Sequence, residues 1–463
     1  MTAIFRPARA ILELGPTFYD PVAAADFPQA VMRFRNDRAA AQVGLDGLND
    51  AEWLAHFGRF KPLPGSLETP LALRYHGHQF RSYNPDLGDG RGFLFAQMID
   101  DRDRLMDLGT KGSGQTPWSR AGDGRLTLKG GVREVLATEM LEALGVETSR
   151  TFSLIETGEA LERGDEPSPT RGAVMVRLSH SHIRYGSFQR LATIGDADGM
   201  AALTRYTLRH YFPADTANDA GADPYAALID HAVAGAARQA AAFMVAGFVH
   251  GVLNTDNINI TGESFDYGPY RFAPRWDADF TAAYFDHHGL YSFGRQPEAL
   301  QWNVYQLAGA LRLVAPVEAL VPALKRFSDL YDAALVAAMC ARLGVVPRGE
   351  PDRVLVEALI TALAASGTSL DRFWFDWRGG RLRGADIYDT PEFAPFTALV
   401  AAYEPAVSCD HPYWSDAVPC GLPIDEIEAI WARIADHDDW APFEAKVAAI
   451  RRMGEAMTEG QAT

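Results

Sequence analysis

Apolar and polar positions change period along this chain, and the changes mark its elements. Phe93 to Ile99 is a short apolar run, Asp100 to Asp103 a polar break, and Leu105 to Leu108 a returning run, which predicts two strands joined as a hairpin. Val132, Val135, Leu136, Met140, Leu141 and Leu144 then recur at helical spacing until Gly145, predicting a helix with Glu134 in its first turn. Ala173 to Leu178 has the unbroken apolar character of a buried strand, and the polar, proline-containing stretch Arg163 to Arg171 before it reads as a surface loop. Tyr225 to Phe248 predicts a long alanine-rich helix. Beyond about residue 300 the pattern is mainly helical, as in Ser328 to Leu343, stopped by Gly344, and Ile424 to Ile434, with a tail expected to fray from Glu455. A sheet-rich first part followed by a helical second part indicates an α+β enzyme.

Composition narrows the class of partner. The chain has 463 residues, 48% hydrophobic and 22% charged, which is ordinary globular usage with room for a sizeable core. Its net charge of −17 repels phosphate backbones and argues against general nucleic-acid binding. In so acidic a chain, a polyphosphate site has to gather its cations locally. The three cysteines, Cys340, Cys409 and Cys420, are widely spaced without a CxxC pair, which suits a reducing compartment. Met1 to Leu14 lacks a continuous apolar core, and Ala226 to Val249 is interrupted by Asp230, His231, Arg238 and Gln239. The expectation is a cytoplasmic protein with no membrane partner.

Three places could carry chemistry. Gly88-Asp89-Gly90-Arg91-Gly92 precedes a strand, where missing Cβ atoms would let backbone amides approach phosphate; a tight structural turn explains the same glycines. Lys111 ends the second hairpin strand and Glu134 lies on the next helix, the order in which kinases pair a strand lysine with a helix glutamate to orient nucleotide phosphates. The third is His250-Gly251-Val252-Leu253-Asn254-Thr255-Asp256-Asn257, followed by Asp266-Tyr267-Gly268. Kinase-like enzymes place an aspartate five residues before a metal-binding asparagine, then an Asp-x-Gly. Asn257 and Asp266 occupy the metal positions, with oxygen donors suited to Mg²⁺ (or Mn²⁺), but Val252 stands where the catalytic aspartate would be. Asp256 is the nearest carboxylate able to take a hydroxyl proton. Arg177 and Arg184, flanking Ser179-His180-Ser181-His182, are further phosphate candidates.

These segments resemble the selenoprotein O family of protein adenylyltransferases. The resemblance is carried by His76 to Phe80, Asn84 to Arg91, Asp107 to Pro117, Arg120 to Gly124, Val174 to Arg177 and His250 to Pro269, over roughly residues 10 to 305. It implies a protein-kinase-like (pseudokinase) bilobal fold, with a sheet-rich N-terminal lobe and a helical C-terminal lobe. It also implies an ATP bound in reverse, so that AMP passes to a Ser, Thr or Tyr hydroxyl of another protein and pyrophosphate leaves. Carried across, Gly88, Gly90, Arg91, Lys111, Asp123, Gly124, Arg177 and Arg184 bind ATP. Asn257 and Asp266 hold Mg²⁺, Asp256 is the base, and Glu134 supports Lys111. The expected organisation is an N-terminal extension (1–75), a nucleotide-binding lobe (76–190), a catalytic core (191–305) and a diverged helical region (306–463). Arg81 and Tyr83 stand where the family has glycine and tryptophan, and the family's redox-active Cys or selenocysteine near the C-terminus has no counterpart in this sequence. A γ-phosphate transferase and a non-catalytic ATP-binding pseudokinase are the alternative readings.

Overall fold

The computed structural model describes residues 3–164, 166–213, 223–384 and 386–459. Its first part is built on a nine-stranded antiparallel sheet. The main path runs Tyr19–Pro21, Leu71–Leu73, Leu94–Ile99, Leu105–Lys111, Thr170–Ser179, Arg150–Leu161 and Val31–Arg35. Arg6–Ala8 pairs beside Leu94–Ile99, and Leu126–Thr127 beside Thr170–Ser179. Residues before 75 thus supply four strands of this sheet.

The expected hairpin is present, and its second strand ends at Lys111 as expected, with Thr170–Ser179 pairing along it from Asp107 to Lys111. Thr170–Ser179 shows why the central strands read as unbroken apolar runs. Val174, Val176 and Leu178 face a core containing Trp53, Phe57 and Phe152, whereas Ala173 and Met175 face a second core beneath the helix Leu128–Ala143. Side chains of a strand alternate between faces, and here both faces are covered.

That helix begins four residues earlier than its apolar spacing suggested. The Thr127 side chain accepts a hydrogen bond from the Gly130 amide and caps the first turn. Glu134 consequently lies in the second turn, so the favourable first-turn interaction with the helix dipole does not apply to it. Gly130 and Gly131 sit inside the helix. A Cβ on Gly131 would fall 2.4 Å from a Leu154 methyl, so its absence lets the helix lie close against the sheet.

The second part is helical. Pro224–Ala246 starts at an Asp223 cap and stops at left-handed Gly247, so Phe248–Val249, expected to continue the helix, instead pairs as a short strand with Arg271–Phe272. It packs against Gln296–Leu311 and Phe327–Leu343. The tail does not fray at Glu455: Ala441–Thr458 is helical, with Met453 and Ala456 buried. This helix lies on Leu128–Ala143, where Arg451 bonds Glu139 through two contacts of 2.7 Å. Among the described residues no helix is long and apolar enough to cross a membrane.

Candidate functional site

Where the ends of Leu105–Lys111 and Thr170–Ser179 meet the loop after Phe248–Val249, a cleft of about 790 Å³ opens. Every candidate drawn from the sequence lines it, except Glu134, which reaches it through Lys111. The placement follows from local structure. Strand pairing carries Lys111 and Arg177 to the same end of the sheet, and Arg184 caps the helix Tyr185–Ile194 that follows. Asp256 and Asn257 lie on a single 3₁₀ turn, Thr255–Asn257.

Asp266 is the hub. Its backbone takes φ of 65°, a left-handed conformation that aspartate tolerates better than most residues. One carboxylate oxygen accepts from Arg177, and the other from Arg184 at 2.6 Å. Arg184 also donates to the Asp256 carbonyl at 2.7 Å, and both guanidinia lie over the Phe265 ring, at 5.0 and 4.6 Å. Burial would raise the Asp266 carboxyl, but Arg177, Arg184 and Lys111 outweigh it and hold the group well below the usual carboxylate range. Lys111 is buried and ion-paired with Glu134. Burial, then the nearby Arg91, push its ammonium well below the ordinary lysine value.

Asp256 is a different kind of carboxylate. It is 7% exposed, and its Oδ1 is buried without a hydrogen-bond partner. Burial pushes it up to about 7, with Arg184 opposing. Asn257 donates its amide NH₂ to the Val252 carbonyl at 3.1 Å, leaving its side-chain oxygen available. Val252 lines the cleft and brings no titratable group. Among the described residues no three His, Cys, Asp or Glu side chains cluster as a ready-made metal site. Mg²⁺ does not need one, since it keeps waters and shares phosphate oxygens. The Asn257 oxygen, the Asp266 carboxylate and the unpartnered Asp256 oxygen form a hard donor set that fits it.

Gly88 and Gly90 permit a close approach, and what approaches them in the structure is the chain at Trp118. A Cβ would lie 2.4 Å from the Trp118 ring at Gly88, and 2.7 Å from the Trp118 carbonyl at Gly90. Asp123 is held by Arg163 at 2.8 Å and by the Arg125 amide at 2.9 Å, beside Gly124. Arg91 is exposed in the cleft, and its side chain makes no ion pair among the described residues.

Two contributors escaped the sequence reading. Arg120 lines the cleft in the same exposed, unpaired state as Arg91, and the rule that singled out Arg91, a cation beside glycines, would have found it. His182, named above only as part of the stretch between the two arginines, sits behind Arg177. Its Nε2 accepts from Arg177 Nε at 3.3 Å, and its Nδ1 lies 3.4 Å from Asp107. A Cβ on Gly109 would fall 2.1 Å from that Nε2, so only glycine at 109 leaves space for the imidazole. Burial holds the ring below its ordinary value, and therefore neutral, which an acceptor for Arg177 must be.

Comparison with known proteins identifies the family. The family model described as protein adenylyltransferase SelO matches residues 3–381, well past residue 305, where the motif resemblance stops. A protein nucleotidyltransferase YdiU of Synechocystis sp. is 43% identical over 462 residues, covering 94% of this chain and 95% of the relative. Its namesake in Gloeobacter violaceus is 44% identical, covering 96% of this chain and 94% of the relative. The chain belongs to the SelO family of protein adenylyltransferases.

Proposed function

We propose that the cleft binds ATP with its polyphosphate against Lys111, Arg177, Arg184 and Arg91, and transfers AMP to Ser, Thr or Tyr hydroxyls of proteins. The observation that carries this reading is the pairing of that cation cluster with Asp256, a buried carboxylate with a free oxygen, while Val252 fills the position of a kinase base. The incoming phosphates replace Asp266 as the partner of Arg177 and Arg184, which releases the Asp266 oxygens. Mg²⁺ (or Mn²⁺), held by Asn257 and Asp266, supplies neutralisation of phosphate charge. Gly88, Gly90, Asp123 and Gly124 border the nucleotide, and Glu134 fixes the Lys111 ammonium.

In the transfer, the acceptor oxygen attacks the α-phosphorus and its proton passes to the Asp256 carboxylate. The bond from the α-phosphorus to the bridging oxygen breaks, and pyrophosphate departs with the electron pair, its charge met by the cluster. The fold reading that goes with this is a kinase-like bilobal pseudokinase. Residues 76–190 with the strands of 1–75 form the nucleotide side, 191–305 the catalytic core, and 306–463 a helical region. Free thiols at Cys340, Cys409 and Cys420 suit the reducing cytoplasm in which we set the reaction.

Incubation with Mg²⁺ and ATP labelled at the α or γ position tests the reading. Label should stay on protein only from the α position and disappear in Asp266→Ala. Label from the γ position would make the protein a kinase, and ATP binding without either label would make it a nucleotide sensor.

A further inference from the structure

Three of the molecule's exposed large apolar side chains gather beside the cleft. Phe80 is 38% exposed, Phe285 41% and Tyr284 77%. The Phe80 and Phe285 ring centroids lie 5.8 Å apart, and those of Tyr284 and Phe285 5.1 Å. Elsewhere in the fold, rings of this size are mostly buried, so a cluster left open to solvent calls for an occupant.

The cluster is fastened to the loop that carries Asp256. The Asn254 side-chain oxygen accepts from the Phe80 amide at 3.0 Å and from the Tyr291 hydroxyl at 2.8 Å. Thr255 accepts from the His78 amide at 2.7 Å. On the other side, Ala282 and Pro269 both close on Gly251, where a Cβ would meet them at 3.0 and 3.1 Å, and Pro269 with Val252 lines the cleft. The aromatic cluster is therefore tied, through Asn254 and Tyr291, to the loop that carries Asp256.

Their outward pose is built into the backbone. Phe80 and Arg81 form the tip of the hairpin Gly77–Gln79 and Ser82–Asn84 with φ of 48° and 63°. Positive φ at both positions is the type I′ geometry that a two-residue hairpin turn adopts, and it sets the direction of the tip. Arg81 is pinned by Glu298 at 2.9 Å and by the Trp302 ring at 5.4 Å, which keeps the tip in place. Beyond Phe285, the Asp286 carboxylate accepts from the Leu290 and Tyr291 amides, both at 2.8 Å, and closes the loop that holds Tyr284 and Phe285 outward.

We propose that Phe80, Tyr284 and Phe285 form the docking shelf for the acceptor segment of a protein substrate. An apolar or aromatic side chain flanking the acceptor hydroxyl rests on the shelf and brings that hydroxyl to Asp256. The inference rests on the AMP-transfer reading above. The occupant is an acceptor segment because the shelf is joined through Asn254 and Gly251 to the catalytic loop and the cleft wall.

The test uses peptides with one Tyr, Ser or Thr, flanked by Leu and Phe or by Asp and Ser, with α-labelled ATP. Wild-type protein should label the apolar-flanked peptides about tenfold more efficiently, a size suited to an aromatic anchor. The Tyr284→Ala/Phe285→Ala double variant should lose that preference through a higher KM for peptide, with its KM for ATP and its melting temperature unchanged. Equal labelling of both peptide sets by wild type, or a preference intact in the variant, overturns the shelf and leaves AMP transfer standing. A variant that changes only the oligomeric size in sedimentation also overturns it, in favour of contact with a second copy. Label on no peptide overturns both the shelf and the activity beneath it.

Discussion

Glu263 shows how a single buried carboxyl sets a pH dependence for the whole fold. It accepts from the His180 amide at 3.0 Å, and burial pushes it up to about 7, with Arg150 and Arg104 opposing but not overcoming the effect. The folded chain therefore keeps a proton that the unfolded chain releases near the ordinary value of 4.5, and stability falls as pH rises through that window. A shift of this size corresponds to about 3 kcal/mol. Glu263→Gln retains an acceptor for His180 and should be the more stable form at pH 8, with a flatter profile. Urea denaturation at pH 5 and pH 8 measures this, and an unchanged slope would discount Glu263. Nothing in the sequence marked this residue, because its burial comes from segments remote in the chain. That Lys111, Asn257 and Asp266 share one cleft was legible, because residue type and spacing single them out. That Asp266 grips Arg177 and Arg184 at once was not, since strand register and a left-handed φ bring the three together.

At the scale of the element, the helix Leu128–Ala143 carries two buried carboxylates, each paired with a cation from another part of the chain. It presents Glu134 to Lys111 and Glu139 to Arg451. Lys111→Met leaves Glu134 buried and unpaired, which should cost about 3–5 kcal/mol. Lys111→Met/Glu134→Leu should recover most of that stability, while neither protein transfers AMP. Thermal melts alongside the α-label assay separate the two effects, and a double variant as unstable as the single one would show that the pair is not coupled. The existence of this helix followed from its apolar spacing, but its start did not. The apolar spacing starts at Val132, whereas Thr127 caps a turn before it and the strand beneath requires a residue without a side chain at 131.

For the molecule as a whole, the helical region past residue 420 is a wall of the first part's core. Ile424–His437 and Ala441–Thr458 lie against Leu128–Ala143, Lys129 bonds Glu428 at 2.6 Å, and Arg171 bonds Asp438 at 2.7 Å. Helical spacing announced Ile424–Ile434 but not what it would cover, because periodicity is local and the choice of partner is not. Arg451→Ala strands Glu139, whose side chain is 3% exposed, and should lower the melting temperature and weaken ATP binding severalfold by loosening the helix that carries Glu134. Calorimetric titration with ATP checks the second effect; unaltered affinity would confine Arg451 to a purely stabilising role. The same arrangement has a consequence during synthesis. The helix at 128–143 emerges from the ribosome long before the residues that cover it, and until positions 424–458 have been made its outer face is bare. Chaperones should therefore find their target there, and competence to bind ATP should arise only after positions 424–458 have left the ribosome.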